Sequence, residues 1–430
     1  MSGWKYNTII YQREGWLTDF PRMSVDRDDG ITVWFNSRKT MPGWNMHATA
    51  GKECFSVRVR SLDKGLTWEL VSKEPLPGPD DSGRPRKDLS TATARLPDGT
   101  LVYLQSRWIF TSASEAEELK KKNHVLEGAG PGQVAYMSRV KCYRSTDGGR
   151  TWDARQVTEI EPYYVLSGWG GATGTGWIVL DDGTLMGTME GKSSPDQEIW
   201  MTYILSSGDG GKTWKATPVP YDPADPREYV EGSIIRLAGG RVLLAARNAV
   251  KGLNIQVAWS DDNGRTWRPF CSTPMRGYPP HLLELKDGKV LCTYGRRFRP
   301  FGIRACLSSD GGETWDAENE IVIEDNGPET YLMSGGVGYP MSAQLSDGTI
   351  VTVYYDTKPA EIKGVYVAKG WRPDPGQDYT FCGVPYIGLA RFTPDYVRPV
   401  GLEPGDATAL PATRKEVAPD QAKIYAATDM

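Results

Sequence analysis

The residues able to do chemistry in this chain recur at set places rather than in one cluster. Acids, tyrosine and histidine come just ahead of, or early in, short alternating strands: Asp19, Asp88, Glu231, Tyr278 with His281, and Tyr339. Arginines and acids follow the next strand in each case: Arg38, Arg107, Glu190, Arg247, Arg296 with Arg297, and Asp356. The Gly-rich stretch at 167–174 carries Trp169 at a corresponding place, and His47 lies in the loop after Arg38. Guanidinium groups hold carboxylates through paired hydrogen bonds. Brought together, these side chains would line a pocket for an anionic, polyhydroxylated ligand. His47 and His281 have the residue type that moves protons near neutral pH. That chemistry would suit β-elimination or hydrolysis at a uronate, with an arginine neutralising the carboxylate. No His/Cys cluster has the spacing of a metal site, and no Asp-lined loop is singled out for Ca²⁺, so no metal or cofactor is expected.

The elements that must position these residues are announced by a repeated turn. The frame S-x-D-x-G-x-T-W occurs at 61–68 (SLDKGLTW), 145–152 (STDGGRTW), 207–214 (SGDGGKTW), 260–267 (SDDNGRTW) and 308–315 (SSDGGETW). Its Asp can close the turn by accepting backbone N–H groups, its Gly can adopt a left-handed backbone, and its Trp offers apolar surface for burial between units. A second signal alternates with it: a short strand, then D-G or G-G, then another strand, at 29–30, 98–99, 182–183, 239–240, 287–288 and 347–348. Those are hairpin turns. Each unit therefore reads strand A, hairpin, strand B, long loop, strand C, Asp-bearing turn, strand D. Repetition of four antiparallel strands predicts an all-β, six-bladed β-propeller.

That reading gives one domain over 1–402 and a polar, Ala/Pro-rich tail over 403–430. In the last unit, which lacks the Asp-bearing turn, VYVA at 365–368 is expected as strand C and YIGLARF at 386–392 as strand D. The N-terminal strand at 6–12 is expected to close the ring beside the last blade, where an open edge would otherwise remain. Residues 111–127 read as a charged helix and 218–230 as loop. In a four-stranded meander the A–B and C–D turns share one end. The long loops, and with them the chemistry-bearing residues, gather at the other.

Composition narrows the classes. A net charge of −4 and a pI of about 5.7 argue against nucleic acid as a partner. No segment has the length and apolarity of a membrane span. The six cysteines are scattered without a CxxC pair, as expected of buried thiols in a cytoplasmic protein. The start lacks a signal-peptide pattern; removal of an export signal would make a secreted or periplasmic location equally consistent. Oligomeric state is left open.

The turn motif and the blade pattern resemble the sialidase superfamily, whose Asp boxes decorate six-bladed propellers. The resemblance covers most of residues 5–395. It implies a Tyr nucleophile served by a Glu, an Asp acid/base, and three Arg on the substrate carboxylate; Tyr-using sialidases are an exception among glycosidases. EGSIIRLAGGRVLLAARN (231–248) resembles the family's Glu-to-Arg segment, which would make Glu231 the partner of the Tyr and Arg247 a carboxylate ligand. GYPMSAQLSDGTIVTVYYD (338–356) resembles the nucleophile strand, with Tyr339 in the catalytic place, and Asp88 falls where the acid/base would be. Arg38 matches a supporting Arg, and Arg297 and Arg304 are candidates for the third. One departure stands out: Asp19-Phe20-Pro21 occupies the place of the family's Arg-Ile-Pro, with Arg22 only nearby. The Gly-Tyr-Pro of Tyr339 also recurs at Gly277-Tyr278-Pro279.

Three functions follow. The first is a sialidase-type exo-glycosidase releasing a terminal anionic sugar from a glycan. The second is a uronate lyase or rhamnosidase using His47 or His281. The third is a sugar-binding propeller without catalysis. In each, Arg38, Arg247, Arg297, Arg304, His47, His281, Tyr278 and Trp169 are the expected substrate contacts.

Overall fold

In the computed structural model the described residues run from 4 to 396, apart from 14–15, 40–53, 76–92, 106–107, 122–125, 131, 138–140, 154–157, 160–164, 168–176, 193–198, 222–227, 249–253, 298–299, 326–336 and 360–382. The tail at 403–430 and the VYVA stretch lie outside them. The fold is the expected all-β, six-bladed propeller. The chain divides into two compact units: Met1–Gly43, Lys52–Leu76 and Pro274–Met430 form one, Trp44–Gly51 and Pro77–Thr273 the other.

The first unit holds blades 1, 5 and 6. Blade 1 is a meander of Trp16–Val25, Ile31–Lys39, Cys54–Ser61 and Glu69–Pro75. Blade 5 runs Pro280–Glu284, Val290–Arg296, Gly302–Ser308 and Ile321–Asp325. Blade 6 is built from both ends of the chain: Gly338–Gln344, Ile350–Pro359, Gly383–Phe392 and then Lys5–Gln12. The closing role of the N-terminal strand is therefore as expected. The place of YIGLARF is not: its strand pairs directly with Ile350–Pro359 and so is strand C, while the N-terminal strand is strand D. Asn7 holds the closure through hydrogen bonds to Ile323 O (2.8 Å) and Glu324 Oε2 (2.9 Å) in blade 5. The apolar layer between blades 5 and 6 includes Leu291, Ile303, Ile350, Ala390 and Phe392.

The second unit holds blades 2, 3 and 4. Blade 2 comprises Thr93–Arg95, Leu101–Gln105, Lys141–Ser145 and Thr158–Glu159. Blade 3 centres on Leu185–Lys192, whose two ends pair with Ile178–Val179 and Val165–Ser167, followed by Met201–Ser207 and Lys215–Pro218. Blade 4 comprises Tyr229–Arg236, Val242–Asn248, Gln256–Ser260 and Cys271–Ser272. The expected charged helix is shorter than 111–127. A 3₁₀ turn at Ala113–Glu115 leads into an α-helix at Ala116–Lys121, and its flanks belong to a small sheet of Trp108–Ser112, Leu126–Gly130 and Gln133–Met137. Pairing with Gln133–Met137 takes up the backbone on either side and limits the helix. Within 218–230 the last residues, from Tyr229, already belong to strand A of blade 4.

The Asp-bearing turns work as their composition implies. In the turn at 308–315, Asp310 accepts from Ser308 Oγ (2.8 Å), Thr314 N (2.9 Å) and Thr314 Oγ1 (2.6 Å), and Trp315 Nε1 returns to Gly312 O at 3.1 Å. Trp315 is 7 % exposed. Burying a ring that size removes roughly 150–250 Å² from water, which contributes at most about 6 kcal/mol. No disulfide joins the described cysteines. Cys54, Cys142, Cys292 and Cys306 are buried as expected, whereas Cys271 is exposed. Among the described residues no helix is long and apolar enough to cross a membrane.

Candidate functional site

Three first strands carry the same irregularity. Pairing slips between Asp19 and Arg22 in blade 1, between Val230 and Ser233 in blade 4, and between Gly338 and Met341 in blade 6. The residue inside each bulge has a left-handed backbone: Phe20 (φ 52), Glu231 (φ 53) and Tyr339 (φ 48). That conformation costs an L-residue roughly 1–2 kcal/mol and persists only where its surroundings hold it. A bulge re-aims a side chain out of the strand's alternation, which is why bulges recur beside active sites. The sequence permits it, because Pro21 and Pro340 have no N–H to lose from the ladder. Tyr278 lies in the same tripeptide but behaves differently: its bond to Pro279 is cis and its φ is not left-handed. The two Gly-Tyr-Pro stretches are thus not equivalent.

In the first unit the bulges of blades 1 and 6 bring aromatic and charged groups together. Phe20 meets Tyr339 edge-on at 4.8 Å between ring centroids, and Tyr355 lies 6.0 Å from Tyr339, nearly parallel. The Arg297 guanidinium sits 5.5 Å from the Tyr339 ring and 5.2 Å from the Tyr278 ring. Its Nε donates to Val337 O (2.8 Å) and its Nη2 to Tyr355 Oη (3.1 Å). Gly338 makes room for it, since a Cβ there would stand 2.8 Å from Arg297 Nη2. A cation over an aromatic face is attracted by the ring, and its field also favours a phenolate over a phenol.

Beside these, Arg38 forms a buried ion pair with Asp19 and lies 5.7 Å from the Phe20 ring. Burial raises the Asp19 pKa and the Arg38 charge draws it partly back. Asp19 Oδ1 has no hydrogen-bond partner among the described residues. Asp356 is buried and accepts from Tyr386 Oη (3.0 Å) and Thr357 N (2.7 Å).

Two residues expected at the site are placed in the packed interior of the same unit. Arg304 is 2 % exposed. It donates to Ile303 O and Glu324 O and pairs with Glu320 and Asp325, each at 3.6 Å. Its position on strand C of blade 5 surrounds it with acceptors from its own blade. His281 is 3 % exposed and accepts from Ser342 N at 3.4 Å through Nδ1. Burial pushes its pKa down to about 3, so it stays neutral across the physiological range.

In the second unit Glu231 is 3 % exposed, and its Oε2 receives Arg247 Nη1 at 2.8 Å. Its backbone N–H donates to the carboxylate of Glu190, from strand B of blade 3. Glu231 and Arg247, expected respectively beside the Tyr and on the substrate carboxylate, are thus paired with each other. Asp88, His47 and Trp169 lie outside the described residues.

Phe20 and Tyr355 were not among the expected site residues. Phe20 reads as an ordinary core residue until its Asp-Phe-Pro is set beside the Gly-Tyr-Pro of Tyr339. Both precede a hairpin turn at a similar distance, and that spacing was the available signal. Tyr355 gives none, because aromatic residues near the end of strand B are unremarkable in composition.

The description of the BNR repeat-like domain family matches residues 124–352. A sialidase of Micromonospora viridifaciens is 27 % identical over 207 residues, which is 43 % of this chain and 31 % of that one. The chain spans between 31 % and 66 % of the length of the three curated sialidases compared. Among solved structures, a protein of unknown function from Dyadobacter fermentans DSM 18053 superimposes with a TM-score of 0.62 at 24 % identity, covering 91 % of this chain and 98 % of that one. The Hadza microbial sialidase Hz136 gives a TM-score of 0.50 at 17 % identity over 79 % and 63 % of the two chains.

Proposed function

From the chain's membership of the BNR repeat-like domain family, within the sialidase-like superfamily, we propose that it is a retaining exo-glycosidase that releases a terminal anionic sugar, sialic acid or a relative, from a glycan. The observation that supports this most is Tyr339, turned out of its strand by the blade-6 bulge with the Arg297 cation 5.5 Å from its ring. A phenol with an unperturbed pKa of about 10 is a poor nucleophile at neutral pH, and it needs help to lose its proton.

In this mechanism Tyr339 Oη attacks the anomeric carbon while Glu231 accepts the phenolic proton. Asp88 protonates the departing glycosidic oxygen, so the C–O bond to the glycan breaks as the bond to Tyr339 forms. Asp88 then deprotonates a water, which displaces Tyr339 as a phenolate, and Glu231 returns its proton to restore the phenol. The pairing of Glu231 and Asp88 with Tyr339 rests on the family pattern. A neutral nucleophile suits an anomeric carbon that bears a carboxylate, because an Asp or Glu would be repelled there. Arg297 is the guanidinium we assign to that carboxylate, since Arg38 and Arg247 face Asp19 and Glu231. For the lyase alternative, burial leaves His281 neutral but lowers its basicity, which makes it a weaker proton acceptor.

The test is turnover of a panel of sialosides and uronides by the wild-type chain and by Tyr339→Phe. Release of the sugar with retained anomeric configuration, lost in Tyr339→Phe, is the expected result. Undiminished turnover in Tyr339→Phe would sink the assignment, and an ultraviolet signal from an unsaturated uronate would replace it with the lyase.

A further inference from the structure

Blade 3 grips the bulge that carries Glu231 from two sides. Its strand Leu185–Lys192 places Thr188 and Glu190 on one face, since residues two apart along a strand point the same way. Thr188 Oγ1 donates to the carbonyl oxygen of Gly232 at 3.1 Å, and Glu190 accepts the backbone N–H of Glu231. One donor and one acceptor thus meet the peptide group that precedes Glu231 and the one that follows Gly232. Both side chains are buried, Thr188 at 4 % and Glu190 at 2 % exposure. Thr202 Oγ1, on the neighbouring strand of blade 3, adds a bond to Tyr229 O at 2.6 Å. The fit is close: a Cβ on Gly232 would come within 3.1 Å of Thr188 Oγ1.

The buried oxygen of Glu190 meets the backbone N–H of Glu231, the residue that has a left-handed φ and a side chain paired with Arg247. Removing the acceptor would leave that buried donor unsatisfied, at the full cost of its desolvation.

We propose that Glu190 is a positioning residue for the reaction: by holding the Glu231 N–H against the pull of an unfavourable backbone, it fixes the direction in which the Glu231 carboxylate is presented. The inference rests on the role proposed above for Glu231. It makes blade 3 a support for a group that blade 4 supplies.

The test uses the full chain with Glu190→Ala and Glu190→Gln, read by steady-state kinetics and by hydrogen–deuterium exchange of the segment 229–236. Misplacement of a reacting group by about 1 Å can lower a rate by about 100-fold. Glu190→Ala is therefore expected to lower kcat by about 30- to 100-fold with KM changed less than about threefold. Glu190→Gln keeps an oxygen able to accept the N–H, so its kcat should recover most of that loss. Exchange in 229–236 should accelerate in Glu190→Ala and not in Glu190→Gln, while the Asp-bearing turn at 207–214 of the same blade keeps its protection. A wild-type kcat in Glu190→Ala, or a Glu190→Gln variant as slow as Glu190→Ala, overturns the proposal. Should the wild type release no sugar from any glycan, the glycosidase reading fails by itself. Exchange then still decides: acceleration confined to 229–236 in Glu190→Ala supports positioning, and unchanged exchange overturns it.

Discussion

Asp310 takes its hydrogen bonds from Ser308, Glu313 and Thr314, all inside its own turn. Glu231 is bound from outside its strand, by Arg247 on the next strand of its blade and by Glu190 on the neighbouring blade. The two carboxylates mark two kinds of region. The Asp-bearing turns are local circuits that repeat because five of the six blades turn the same corner between strands C and D. The strand-A bulges occur in three blades with a different residue in each: Phe20, Glu231 and Tyr339. Repetition of sequence marks the scaffold, and repetition of geometry with changing residue type marks the place where chemistry is varied. Substitutions at the two regions should separate activity from stability.

The largest effect is expected at Tyr339. Removing the hydroxyl in Tyr339→Phe should lower kcat/KM by at least about 10³-fold, since loss of a nucleophile removes a covalent step. The ring contacts with Phe20 and Arg297 remain, so stability should fall by no more than about 1.5 kcal/mol, the usual worth of one hydroxyl hydrogen bond. A large loss of stability in this variant would place Tyr339 with the scaffold and erase the contrast.

How much of this was legible from the chain differs by region for a physical reason. The Asp-bearing turns are local: Ser308, Asp310, Gly312 and Thr314 contact one another within a few residues, so spacing alone reveals them. The role of YIGLARF depended on whether the N-terminal strand, almost the whole chain away, would take the outer place in blade 6. No local pattern encodes that choice. Arg304 and Arg297 lie close in sequence, yet one is enclosed by Glu320 and Asp325 and the other faces two tyrosines. Their fates differ because strand C turns Arg304 into the blade, while Arg297 falls just beyond the end of strand B. Glu231 and Arg247 were each legible as site candidates, and the single hairpin that joins their strands brings the two side chains together.

His281 tests the contrast from the core between the two regions. Its folded pKa of about 3 lies below the unperturbed value of about 6.5. The unfolded chain therefore takes up a proton first as pH falls. The stability tied to the neutral imidazole is complete above about pH 6.5 and declines below it, at up to about 1.4 kcal/mol per pH unit. Denaturant melts between pH 7 and 4 should show the decline, and His281→Asn, which can still accept from Ser342 N, should flatten it. A pH-independent stability across that interval would mean that His281 is reached by water and belongs with the site.

Gly338→Ala probes the bulge directly. The added Cβ meets Arg297 Nη2 at 2.8 Å, and the φ of 146° is unfavourable for alanine. A stability loss of about 1–3 kcal/mol is expected, together with a fall in kcat/KM as Arg297 is displaced from Tyr339. Loss of stability with full activity would show that Arg297 is part of the packing alone.

The smallest effects are expected at the repeated corners. Asp310→Ala removes several hydrogen bonds from an exposed turn, and screening by solvent reduces the cost to about 1 kcal/mol, with turnover unchanged below the melting point. The same corners set a second acid transition. Asp262 is held down to about 2 by hydrogen bonds from the Thr266 hydroxyl and amide and from Ser260. For Asp209 and Asp310 burial pushes upward, but the bonds from Thr213 and Ser207, and from Thr314 and Ser308, outweigh it and leave both at about 2. Unfolded aspartates titrate near 3.9, so the contribution of these turns is intact above about pH 4 and disappears as pH falls toward 2. Acid denaturation should therefore proceed in two stages, the upper one abolished by His281→Asn and the lower one reduced by Asp262→Asn. A single stage removed by either substitution alone would mean that the corners and the blade interiors do not titrate independently, and the division between them would fail.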